Sequence, residues 1–106
     1  MKEQLLTAVF SDDVKDDVID ALIAMEALSG FSLSRIDGYS REHSQFDVSE
    51  QVAGHRRMCR IEVLHEATLE EELLTTLGAA VRASHLRYWL TALAGSGTLG
   101  HNTRAR

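Results

Sequence analysis

Short strand-like apolar runs are interleaved in this chain with two stretches of period near 3.6, in the order strand, helix, strand, strand, helix, strand. That order of periods restricts the fold more than composition does. Residues 4–10 hold Leu5, Leu6, Val9 and Phe10 in both alternation phases, which predicts a strand needing cover on both faces. Ser11, Asp12 and Asp13 then offer capping oxygens and acids suited to the positive end of a helix. Val14, Val18, Ala21, Leu22 and Met25 recur at spacings of three and four, opposite Lys15, Asp16, Asp17 and Asp20, so the spacing predicts a helix ended by Gly30. Residues 31–39 read as a strand whose alternation slips, with Phe31 and Leu33 in one phase and Ile36 in the other; a bulge or burial on both faces would explain it.

Residues 58–65 give the cleanest strand, because Cys59, Ile61 and Val63 alternate with Arg60 and Glu62. Thr68 and Glu71 form a capping-box pattern, followed by Leu69, Leu73, Leu77 and Val81 at every fourth position with Leu74 and Ala80 beside them. This helix is expected to run to about residue 83, with Gly78 marking close packing against a strand. Residues 85–93 form a last strand, with Tyr88 and Trp89 on opposite faces.

Two right-handed crossovers joined by a hairpin give an α+β, ferredoxin-like βαββαβ fold: a four-stranded antiparallel sheet with both helices on one face. The other face is left bare, carrying Leu5 or Leu6, Val9 or Phe10, and Trp89 or Tyr88. An apolar surface of that kind calls for association with further copies. The domain is expected to span residues 1–94, with a flexible tail at 95–106. Between the second and third strands lies a connection at 38–57 with no period of its own, far longer than the usual ~4–6 residues and therefore a candidate for function.

A chain of 106 residues supports one core. Its net charge of −5 argues against a nucleic-acid module built on phosphate contacts. Cys59 is the single cysteine, so neither an intrachain disulfide nor a Cys-x-x-Cys metal site can form. No apolar run approaches the ~18 residues needed to cross a bilayer, and the acids at Asp12 and Asp13 fit a strand end better than a signal peptide. A cytoplasmic location without membrane insertion is expected.

The segment Ser32-Leu33-Ser34-Arg35-Ile36-Asp37-Gly38-Tyr39-Ser40-Arg41 is similar to the PII signalling proteins where they lead into their long loop. Glu50-Gln51-Val52-Ala53-Gly54 and Leu86-Arg87-Tyr88-Trp89 resemble signatures of a small bacterial PII-like family often encoded beside heavy-metal efflux systems. The resemblance implies a homotrimer with a small-ligand cleft between subunits near the base of the loop, where Gly38 and Arg41 match the start of the PII loop. It also implies a partner protein, either a membrane transporter or a regulated enzyme, contacted through Glu50, Gln51, Val52 and Gly54. Ser40 and Glu42 stand where PII has glycine and glutamine, and Ala83-Ser84-His85 lacks the glycines of the PII phosphate turn.

Arg56, Arg57 and Arg60 could clamp a phosphate or carboxylate, as of an adenine nucleotide or another small anion, through charge-assisted bonds, or could pair with Glu42, Asp47 and Glu50 to order the loop. His43 and His55, brought together across subunits, are the candidate ligands for zinc or copper. Gly95-Ser96-Gly97-Thr98-Leu99-Gly100 spells a dinucleotide fingerprint but leaves too little chain for the crossover that such a site requires. Cys59 alternates with buried positions and reads as an apolar residue rather than a nucleophile, so no catalysis is expected. The reading is a PII-like regulatory protein; the alternatives are a metal-responsive accessory protein and a small ferredoxin-like enzyme.

Overall fold

A computed structural model of the chain describes residues 2–39 and 56–100. In order, the elements are β1 (Glu3–Ser11), α1 (Lys15–Ile23), β2 (Ser32–Gly38), β3 (Arg56–Glu66), α2 (Glu70–Val81) and β4 (Leu86–Ala92). Single 3-10 turns at Asp12–Val14 and Ala67–Leu69 lead into the two helices. The strands form one antiparallel sheet in the order β2-β3-β1-β4, the ferredoxin-like arrangement expected from the order of periods.

Cross-strand register sorts every side chain to one of two faces. Leu6, Ala8 and Phe10 of β1 stand opposite Val63, Ile61 and Cys59 of β3, and all six are completely buried. They meet Val18 and Leu22 of α1 and Leu73, Leu77 and Val81 of α2, which places both helices over this face. Burying the larger of these, the valine, leucine, isoleucine and phenylalanine side chains, stabilises the fold by about 1.5–3 kcal/mol each, so this layer carries most of the apolar stabilisation.

Several local expectations are corrected. The register of β2 against β3 runs unbroken from Ser32↔Glu62 to Gly38↔Arg56, so the slipped alternation is not a bulge. Phe31 and Leu33 pack toward the core while Ile36 lies on the opposite face, so β2 has apolar contacts on both sides. Helix α1 stops at Ile23, well before Gly30, because Met25 N bonds Leu22 O and Leu28 N bonds Met25 O, tight turns that fold Met25 and Leu28 inward.

The Thr68 and Glu71 capping box is not formed. An extra 3-10 turn shifts the start of α2 to Glu70, so neither residue holds the position that the motif requires, and neither N-cap carries a side-chain bond. Glu70, Glu71 and Glu72 instead place three acids in the first turn, where the helix dipole favours them. Gly78 faces open space rather than a strand. Strand β3 reaches back to Arg56, so Gly38, Arg56 and Arg57 belong to the sheet rather than to the long connection.

The face away from the helices carries Leu5, Thr7 and Val9 of β1, flanked by Leu64, Glu62 and Arg60 of β3 and by Thr91, Trp89 and Arg87 of β4. Trp89 is 43% exposed and Leu64 39%. The face is therefore amphipathic, with charged side chains set among the apolar ones. Beyond Ala92 the described chain has neither helix nor strand, and Leu99 is 97% exposed. Ser96 Oγ donates to Glu3 Oε1.

Candidate functional site

At the end of the open face nearest the β2–β3 connection the sheet surface sinks into a trough of about 800 Å³. Its floor is Val9, Ile36 and Met58, one from each of three adjacent strands, and pairing explains their convergence. Ile36 is registered against Met58, and Met58 against Ser11, the same-face neighbour of Val9. Gly38, Tyr39 and Arg56 form one side, while Ser84, His85, Leu86, Arg87 and Trp89 form the other.

Gly38 has a steric duty in this wall. A Cβ at Gly38 would run into the Met58 side chain, standing 3.2 Å from Cγ and closer still to Sδ. The missing side chain lets Met58 lie over the end of β2 and close the floor.

The three arginines proposed as one cluster are divided by the pleat. Arg56 lines the trough, whereas Arg57 is registered against Asp37 on the opposite face of the sheet. Arg60 shares the face of Arg56 but stands two repeats further along β3, beyond Met58 and beside Val9, and is not part of the trough wall. A different arginine takes its place. Arg87 sits across Val9 from Arg60, with its guanidinium carbon 5.9 Å from the centre of the Trp89 ring, within cation–π range. Linear spacing gave no sign that Arg87 belongs with Arg56, because only the pairing of β1 with both β3 and β4 brings them to one surface. The Arg87-x-Trp89 alternation was the signal that could have placed those two on one face.

The turn between α2 and β4 holds an unusual backbone. Arg82 has φ 54° and ψ −116°, and Ser84 N donates to Val81 O at 2.9 Å. These are the angles of the first central residue of a type II′ turn, about 60° and −120°, a position normally given to glycine. Arg82 therefore holds a strained conformation of the kind that concentrates at working sites. The turn leads directly into Ser84 and His85 at the trough rim.

Beneath the other face, Cys59 Sγ donates to Asp12 Oδ1 at 3.4 Å, and Arg35 Nη1 lies 3.4 Å from the same oxygen. Burial, then the bond to Asp12 and the Asp12 charge, push the thiol above its ordinary value of 9.0, against smaller opposing effects of Arg35 and Lys15. A fully buried, protonated thiol is a poor nucleophile.

Arg41, His43, Glu50, Gln51, Val52, Gly54 and His55 lie outside the described residues. Among the described residues, no group of three or more histidine, cysteine or acidic side chains is placed to hold a metal ion. None of the described helices is long and apolar enough to cross a membrane.

The sequence matches, over residues 1–100, a family described as "Protein of unknown function (DUF3240)". The fold is similar to the crystal structure of a DUF3240 family protein from Shewanella baltica OS155, with 39% sequence identity and a TM-score of 0.79. The match covers 94% of this chain and 99% of that one. No curated protein matches the sequence.

Proposed function

Given that the chain belongs to the DUF3240 family, we propose that it is a PII-like regulatory protein, non-catalytic and cytoplasmic, which assembles as a homotrimer through its open sheet face. A small anion in the trough sets the state of the connection at 38–57, and that connection engages a partner, either a membrane transporter or a regulated enzyme. The observation that carries this reading is the position of the trough: both ends of the connection, Gly38 with Tyr39 and Arg56, stand in its wall. A ligand bound there lies beside both anchor points of the connection, which is the geometry needed for a switch that orders a segment. The half-exposed Trp89 and Leu64 on the same face favour burial against further copies.

Mass measurement in solution combined with a thermal-shift panel tests the reading. The expected result is a trimer stabilised by an adenine nucleotide or another small anion at millimolar concentration. A single subunit that persists at high concentration, together with no shift from any anion, would refute it.

A further inference from the structure

The trough has a charge and a surface that select among anions. Among its described lining residues Arg56 and Arg87 are cationic and Asp13 is anionic. A wall that mixes cations with an acid suits an anion of low charge. A multiply charged phosphate chain would meet Asp13, and the described wall contains no lysine. The floor is equally selective: Val9, Ile36 and Met58 offer only apolar side chains to the body of a ligand. A sugar or a base edge lying there would lose hydrogen bonds to water without recovering them.

Arg87 is already oriented, because its guanidinium lies against the Trp89 ring. A guanidinium fork fixed in this way matches the two oxygens of a carboxylate, at a smaller entropic cost than a free side chain would incur. The strained Arg82 turn holds Ser84 and His85 at the rim beside it, a second and independent sign that this end of the sheet is built for a purpose.

We propose that the trough binds a monocarboxylate with an apolar body, the carboxylate paired with Arg87 and the body lying on Val9, Ile36 and Met58. The proposal rests on the reading of the trough as the ligand site and names its ligand class. Free acyl or aryl carboxylates meet the description, whereas acetate lacks the body and inorganic phosphate and ATP have the wrong charge or surface.

The chain's one tryptophan, Trp89, stands in the trough wall, so its fluorescence reports occupancy directly. Titration of the full chain with octanoate is expected to change Trp89 emission saturably, while acetate at equal concentration leaves it unchanged. Arg87→Gln should weaken octanoate binding roughly tenfold or more, as loss of a charge-assisted pair does. Ile36→Glu, an edge-strand change at the floor, should abolish it, and Arg57→Gln on the opposite face should leave it intact. If phosphate or ATP changes Trp89 emission and octanoate does not, the ligand class is wrong while the site stands. If none of these anions moves Trp89, both the ligand class and the site are overturned. Octanoate binding that survives in Arg87→Gln and Ile36→Glu alike also overturns the proposal, since the carboxylate then lies elsewhere.

Discussion

Cys59 donates its thiol hydrogen to Asp12 Oδ1 across 3.4 Å, joining the first part of β3 to the turn that follows β1. The thiol keeps its proton in the folded chain beyond the pH at which a free thiol loses it, because burial and Asp12 both disfavour the thiolate. The unfolded chain ionises first, near its ordinary value, so the stability supplied by this group is complete below about pH 8.5–9 and is lost as pH rises through the raised value. Denaturant midpoints measured at about pH 8 and about pH 10 should fall more steeply for the native chain than for Cys59→Ala. Parallel pH dependences in the two proteins would show that Cys59 does not titrate differently on folding.

Gly38 and Met58 form the second testable contact. Alanine at 38 forces the Met58 thioether out of its place over β2, and because that side chain is flexible the cost should stay near 1 kcal/mol, the low end for overpacking. Shortening Met58 to alanine removes the obstacle, so the two changes should be strongly non-additive in a double-mutant cycle. Simple additivity of the two effects in urea midpoints would mean that the glycine serves some other purpose.

The βαββαβ order and the inward face of β3 were legible because period two and period 3.6 are written directly into local spacing. Cys59, Ile61 and Val63 are buried as their alternation predicts. The site was legible only in its parts. Arg56 and Gly38 were visible at the borders of an unpatterned stretch, but Arg57 was grouped with them because adjacency in sequence looks like adjacency in space, whereas the pleat sends it to the other face. Arg87 enters the trough through sheet order, a non-local property that no window of sequence contains. The capping box failed for a local reason: a 3-10 turn of three residues changed the helix start after the motif had been satisfied on paper.

Arg82 gives a prediction of unusual sign. Its angles suit glycine, so Arg82→Gly relieves strain of about 1–3 kcal/mol while adding about 0.5–1 kcal/mol of backbone entropy to the unfolded chain. A net gain of about 1 kcal/mol is expected, read as a higher melting temperature. Because the same turn sets the trough rim, the glycine variant should also bind a trough ligand less tightly, the rim having lost its fixed geometry. A melting temperature below that of the parent would place the strain elsewhere or deny it.

Gly78 gives the last prediction, and it separates a packing role from plain helix chemistry. The sequence suggests that a glycine inside α2 marks a close approach to a strand, yet a Cβ built at this position meets nothing within 4 Å, leaving out the helix's own backbone. Its neighbour Leu77 is 1% exposed in the core. On one turn of one helix, then, two substitutions to alanine should act in opposite directions. Leu77→Ala leaves a cavity and should cost about 2–5 kcal/mol. Gly78→Ala removes the backbone entropy penalty of glycine in a helix interior and should stabilise by about 1 kcal/mol. Chemical denaturation of the two variants beside the parent decides the matter. If Gly78→Ala is the less stable protein, another surface approaches α2 at this point, and the outer side of the helix pair is an interface rather than a solvated face.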